Sequence, residues 1–297
     1  MAELADQHGL TFRQDYFADP AAFRALATLL HDTFSIDISL QSAFCGPDPS
    51  SMPFGYFDAD GRCVANFSVF SMPLVIKGRK VKAAGYQSGA VRPEWRRRGF
   101  YRDLMQRAFA YARADGYELD ILLTDKPALY ERYGFRTIPQ HVFVGPPPVP
   151  AMTGLTAKRL SLQGAADLDV MKRVLLTRAP VSRRFAVAGQ MEMFHLNACF
   201  DAGIRLTLVD EKTIVAWKYE GATVRLLDIA AATIPPLGEI LATLEIQPQR
   251  VEVCFPTDRL GWTGTPEPYQ GYCALMVRGD AAGFIDGPIM LSPMAEF

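Results

Sequence analysis

The alternation of apolar and polar positions divides the chain into two passes of similar order. In the first, residues 10–17 (LTFRQDYF) read as a strand. Asp19-Pro20 then opens a helix, because Asp suits an N-cap and proline the first helical position. Phe23, Leu26, Ala27 and Leu30 form its apolar stripe. Residues 36–44 read as a shorter helix, and Pro47, Pro49 and Pro53 make the next stretch irregular. Strands are expected over 53–58 and 62–76 around an Asp60-Gly61 turn, and then, after Lys77-Gly78-Arg79-Lys80, in a long strand ending at Val91. A turn with Pro93 and Arg96-Arg97-Arg98-Gly99 leads into a helix with apolar residues Tyr101, Leu104, Met105, Ala108, Phe109 and Ala112 at a 3.6 period. Residues 118–124 form another strand. Thr124 or Asp125 can cap a short helix that has Pro127 near its start and Gly134 at a left-handed end. Residues 135–144 are the last strand of this pass.

Gly145-Pro146-Pro147-Pro148-Val149-Pro150 reads as a linker. The second pass repeats the order: a strand over 155–160, helices over 165–178 and 184–200, and a meander over 204–209, 213–219 and 222–229. A helix near Pro235-Pro236 carries Leu237, Ile240, Leu241 and Leu244 on one face, and strands follow over 250–255 and 272–277. A Gly/Pro-rich loop stands between those strands where a last helix would be. After the meander the sequence is AAATIPPLGE, with no arginine and no glycine in the turn.

The order strand, basic glycine-containing turn, helix N-terminus makes an anion site. The first N–H groups of a helix lack intrahelical partners, and the helix dipole adds roughly half a positive charge there. Gly99 permits close backbone approach or a positive φ, and neighbouring arginines suit phosphate oxygens. Backbone N–H groups over 97–102 are expected to do most of the holding, since three consecutive arginines cannot all face one ligand.

Arg96-Arg97-Arg98-Gly99-Phe100-Tyr101 resembles the pyrophosphate loop of GNAT-type N-acetyltransferases, Arg/Gln-x-x-Gly-x-Gly/Ala. Val91-Arg92-Pro93 before it and Tyr130-Glu131-Arg132-Tyr133-Gly134-Phe135 after it resemble that family too, over roughly residues 8–145 in all. Tyr101 departs from the usual Gly or Ala and resembles the subgroup of the enhanced-intracellular-survival acetyltransferases. The resemblance implies an α+β fold with a mixed α/β sheet splayed at its centre. It implies acetyl-CoA as cosubstrate, bound by Gly89, Ala90, Val91, Arg96, Arg97, Arg98, Gly99, Phe100, Tyr101 and Arg102, and no metal. It places Tyr130 near the thioester sulfur as the general acid, and the region of the first two helices at the acceptor site. A main-chain N–H around 88–91 would polarise the thioester carbonyl. Such enzymes also end on Phe with the terminal carboxylate at the active site, which makes Phe297 a candidate base beside Glu94, Glu118, Asp120 and His141. For the tail itself, with Ile289, Met290, Leu291 and Met294, a disordered terminus is the ordinary expectation.

The expected organisation is two tandem GNAT-like domains: a catalytic one over 1–145, a linker over 146–153, a degenerate copy over 154–280 and a tail over 281–297. The copy should not cradle a pyrophosphate, so one CoA site per chain is expected. The acceptor is a small-molecule or protein amine, whether amino sugar, polyamine, amino acid or lysine. Two other readings remain: an acyl-CoA-binding regulator without catalysis, and an aminoacyltransferase using charged tRNA.

Composition narrows these. At 49% hydrophobic and 21% charged residues the chain is globular. A net charge of −1 argues against nucleic acid held by bulk charge. The five scattered cysteines show no metal spacing and suit a reduced, cytoplasmic protein. The N-terminus lacks a secretory signal, and no apolar run reaches membrane-spanning length. Oligomeric state is not legible.

Overall fold

The computed structural model describes residues 8–149 and 154–297, so the linker expected over 146–153 lies outside the described residues from 150 onwards. Contacts divide the chain into two compact units. One holds Met1–Ser71, Lys82–Leu122 and Phe297; the other holds Met72–Val81 and Leu123–Glu296. The units therefore do not follow the expected cut at residue 145.

In the first unit, β1 (Thr11–Gln14) leads to α1 (Pro20–Phe34). Asp19 is its N-cap and accepts from the amides of Ala21 and Ala22. The helix buries Leu26, Leu29 and Leu30 in a cluster with Tyr16, Phe57, Cys63 and Ala90. The helix expected over 36–44 is a 3-10 segment, Ile38–Ala43. β2 (Met52–Phe57) and β3 (Cys63–Ser71) follow. The strand expected to continue through 76 ends at Ser71, ahead of Pro73. β4 (Leu74–Ile76) and β5 (Arg79–Val81) instead make a hairpin that belongs to the second unit. Its turn residues Lys77 and Gly78 have φ of 50° and 79°, the positive values a two-residue hairpin turn requires. The first unit resumes with β6 (Ala83–Val91), α2 (Phe100–Ala114) and β7 (Leu119–Thr124), of which β7 leaves it after Leu122. The pairing order is β1-β2-β3-β6-β7, antiparallel except for β6 with β7. The stripe of α2 is as expected, with Phe100 buried beside Leu104, Met105, Ala108, Phe109 and Ala112.

The second unit continues with α3 (Ala128–Glu131), β8 (Arg136–Thr137) and β9 (His141–Gly145). The single strand expected over 135–144 is thus two, parted at Pro139, which has no N–H to give a ladder. Next come β10 (Ala157–Arg159), α4 (Ala165–Leu176), β11 (Phe185–Val187) and α5 (Met191–Phe200). The helix expected over 184–200 starts only at Met191, because Phe185–Val187 bury their side chains and pair with β4. The meander is β12 (Arg205–Val209), β13 (Thr213–Glu220) and β14 (Thr223–Ala230). Then follow α6 (Leu237–Thr243), β15 (Arg250–Val253), β16 (Thr265–Pro268) and β17 (Ala274–Arg278). One sheet of this unit runs β10-β12-β13-β14-β15-β9-β16, with β15 parallel to β14; β17 pairs with β8. A meander, a helix and a parallel strand thus occur in both units. β9, expected in the first domain, closes the sheet of the second, and Val251, Val253, Phe143 and Ile229 share its core.

The tail is ordered, against expectation. Ile289, Met290, Leu291 and Met294 are each 1% exposed. Ser292 donates its hydroxyl to the Leu227 carbonyl at 3.0 Å. Their apolar area removed from water offsets the chain entropy that frees an ordinary terminus.

Candidate active site

Three local features of the first unit converge at the end of β6. The first is an open strand edge. β6 pairs with β7 only from Ala83 with Leu119 to Tyr86 with Leu122. Past Tyr86, residues 87–91 have no β7 partner, and the N–H and C=O groups on that edge, apart from the Val91 carbonyl that Arg96 occupies, are available to a ligand.

The second is a bulge. Asn66 of β3 pairs with Ala90 and Ser68 with Gln87, so two residues of β6, Ser88 and Gly89, stand opposite Phe67 alone. Ser88 takes a positive φ of 58°.

The third is the basic turn. Arg97 has φ 64° and Gly99 has φ 91°. Left-handed residues in a turn make successive N–H groups point into one concavity, which suits an anion. Gly99 is the N-cap residue of α2 and offers no side-chain cap. An added Cβ at Gly99 would meet nothing within 4 Å, so the space over the helix end is open.

The arginines divide by role. Arg96 donates from Nε to the Val91 carbonyl at 3.1 Å. Arg98 donates to the Glu94 carbonyl at 3.0 Å and lies 4.9 Å from the Trp95 ring centroid. These two brace the turn. Arg97 and Arg102 are exposed, and their guanidinium groups are available to a ligand. Sequence reasoning did not single out Arg92, which is buried. It donates to the Cys63 carbonyl at 3.0 Å and pairs with Asp32 of α1 at 2.8 Å, tying the strand end to the core. Its one signal was its place between Val91 and Pro93.

Tyr101 stands where small residues are usual in the family resembled. Its ring packs edge-on against Phe67 with centroids 5.5 Å apart. Asp103, in the first turn of α2, accepts from the Tyr56 hydroxyl at 2.8 Å and pairs with Arg107 at 2.5 Å. Burial, then Asp103, holds the Tyr56 hydroxyl well above its ordinary pKa. That pairing offsets a carboxylate which would otherwise oppose an anion at the helix end.

Tyr130 belongs to the second unit, in α3, and is 8% exposed. Its ring meets Phe135 edge-on at 6.0 Å. Neither Thr124 nor Asp125 caps this segment: its N-cap residue is Pro127, with no side-chain cap, and Thr124 accepts from the Lys126 amide at 3.0 Å in the turn ahead of it. Gly134 ends it with φ 86°. Among the candidate bases, Glu94 pairs with Arg62, Glu118 accepts from the Lys82 amide and Asp120 accepts from the Tyr86 hydroxyl. His141 Nδ1 is buried. Phe297 falls in the first unit, its ring centroid 5.1 Å from that of Phe70.

Among the described residues no helix is long and apolar enough to cross a membrane. The family described as "Acetyltransferase (GNAT) domain" matches residues 48–138, which span β2 to β8 and contain the open edge, the bulge and the turn. An uncharacterized N-acetyltransferase of Streptomyces griseus is 39% identical over 93 residues, 31% of this chain and 22% of that protein. Among solved structures, Eis1 from Mycobacterium abscessus has a TM-score of 0.59 at 16% identity, covering 91% of this chain and 73% of its own. A GCN5-related N-acetyltransferase from Kribbella flavida has a TM-score of 0.56 at 16% identity, covering 93% and 73%. Residues 48–138 therefore match the GNAT acetyltransferase domain, in a chain that shares its fold with GNAT N-acetyltransferases over nine-tenths of its length.

Proposed function

We propose that the chain is an acetyl-CoA-dependent N-acetyltransferase that passes the acetyl group directly to a primary amine of a small molecule or protein. The observation that carries this is the meeting of an unpartnered β6 edge with an uncapped α2 N-terminus through a turn in which Arg97 and Gly99 are both left-handed. The backbone N–H groups of 97–102 suit the diphosphate, with Arg97 and Arg102 adding charge. The edge at 87–91, with Gly89, Ala90 and Val91, suits the amides of the pantetheine arm. A main-chain N–H of the bulge would stabilise the oxygen as the amine nitrogen bonds to the carbonyl carbon and the carbon–sulfur bond breaks. Tyr130 would give its hydroxyl proton to the departing thiolate, as the family resemblance implies. With ordinary pKa values about 10 for Tyr and about 8.5 for a thiol, that transfer is uphill until the site favours it. The amine's proton leaves to a separate base; Glu94, Glu118 and Asp120 each hold a partner in the fold.

The turn before α6 does not suit a diphosphate. Pro235 and Pro236 bring no N–H to the turn before α6, and the Leu237 amide already donates to the Leu260 carbonyl at 2.8 Å. The degenerate-copy reading therefore keeps one site per chain. The free cysteines fit a cytoplasmic setting. The test is acetyl-CoA turnover over an amine panel, read as thiol release. Acetylated amine with equal thiol release is expected; CoA binding without transfer to any amine would leave a non-catalytic binder.

A further inference from the structure

The bulge in β6 is held by one buried amide. Asn66 is 0% exposed in the middle of β3, where Ser68 is the other fully buried polar residue. Its Nδ2 donates twice, to the Ser88 carbonyl at 2.9 Å and to the Ser68 hydroxyl at 3.0 Å. Its Oδ1 accepts from the Tyr16 hydroxyl at 2.5 Å. Both N–H donors and the carbonyl of the side chain are engaged, which an interior amide needs to be worth its burial. Tyr16 is 2% exposed, and burial raises its pKa well above the ordinary 10, so it remains a donor.

The consequence lies in the next peptide plane. A trans peptide points its C=O and N–H in opposite directions. With the Ser88 carbonyl turned to Asn66 of β3, the Gly89 N–H is turned away from β3, to the edge that β7 has left. Ser88 holds this plane with a positive φ of 58°. That conformation costs a non-glycine residue about 1 kcal/mol or more and relaxes unless something fixes it. Asn66 supplies that fixing contact.

We propose that Asn66, steadied by Tyr16, is a positioning residue for acyl transfer: through the Ser88 carbonyl it aims the Gly89 N–H at the thioester oxygen. This rests on the acetyltransferase reading above. It separates the carbonyl from the rest of the ligand. The diphosphate is assigned to the turn and most of the pantetheine arm to the other residues of the edge, so disturbing Asn66 should act on the acetyl carbonyl and largely spare CoA.

The test compares the parent with Asn66→Leu, which keeps the volume and removes all three hydrogen bonds, and with Tyr16→Phe, which removes only the tie to Oδ1. For each, kcat with a saturating amine is measured beside calorimetric Kd values for acetyl-CoA and for CoA, which has no thioester carbonyl. Removing an oxyanion donor costs about 10²–10³-fold in kcat, so misaiming one should cost about 10–100-fold in Asn66→Leu. Tyr16→Phe should fall in the same direction by less. CoA affinity should stay within about threefold in both, as expected when only transition-state contacts are lost. A folded Asn66→Leu enzyme with kcat within about twofold of the parent overturns the proposal. So does a parallel loss of CoA affinity and kcat, which marks a merely structural role. Should Asn66→Leu fail to fold, Tyr16→Phe decides alone, an unchanged kcat counting against the proposal. A parent that binds neither acetyl-CoA nor CoA overturns the acetyltransferase reading itself, and this one with it.

Discussion

The Tyr101 hydroxyl lies over Gly89, 2.5 Å from the point where a Cβ on that residue would stand. A large residue at the start of α2 and the smallest residue at the bulge of β6 therefore share one volume. Phe67 closes the same space, 3.0 Å from that point. Gly89→Ala should destabilise the domain by about 1–3 kcal/mol, because the Tyr101 ring must leave its packing on Phe67. In the Tyr101→Ala background the same substitution should cost far less. Urea unfolding of the four proteins of this cycle gives the coupling directly; additive effects would mean that the two residues do not compete.

The turn allows backbone and side chain to be separated. Arg97 sits at φ 64°. Arg97→Gly should therefore relieve strain and leave stability unchanged or raised by about 0.5–1 kcal/mol. If the backbone holds the diphosphate, CoA affinity should fall only a few-fold. A loss beyond about 100-fold would show that the guanidinium is the main anchor.

Tyr130→Phe keeps the ring against Phe135 and removes the hydroxyl. Turnover should fall by about 10²–10⁴-fold with acetyl-CoA affinity nearly unchanged. Steady-state kinetics beside calorimetry checks this, and turnover within about twofold of the parent would refute the acid role.

The docked tail should respond to pH. Burial pushes the Glu296 carboxyl up to about 7, from an ordinary 4.5. A raised pKa means the docked state favours the neutral form. Its contribution is full below about 4.5 and is lost as pH rises through about 7. That range is worth on the order of 3 kcal/mol. Amide exchange of residues 294–296, corrected for intrinsic rates, should lose protection between those values, and Glu296→Gln should remove the dependence. Protection that is flat across that range in the parent would contradict it.

Local chemistry made much of this fold legible in the sequence. Asp19-Pro20 starts α1, the apolar stripe marks α2, and short polar turns separate β12, β13 and β14. The strand, basic turn and helix were readable because their anion chemistry is local. What escaped depends on distant partners. Residues 135–144 look like one strand until β8 and β9 pair with strands more than a hundred residues away. Phe185–Val187 is apolar enough for a helix, and only β4 makes it a strand. Asn66 is one of three polar residues in CVANFSVFS; its meaning comes from Tyr16, fifty residues before it, and Ser88, twenty-two after it. Among three arginines, no pattern tells Arg96 and Arg98, which brace the turn, from Arg97, which does not.

One CoA site per chain is expected, built on the backbone around Gly99. Calorimetric titration of CoA into the parent and into Gly99→Asp tests it most directly. A Cβ added there meets nothing. The variant should therefore fold, at a strain cost of about 1–2 kcal/mol for a left-handed residue with a side chain. It nonetheless places a carboxylate where the diphosphate is held. One site per chain is expected in the parent and none measurable in the folded variant. Two sites in the parent, or unchanged affinity in Gly99→Asp, would contradict it.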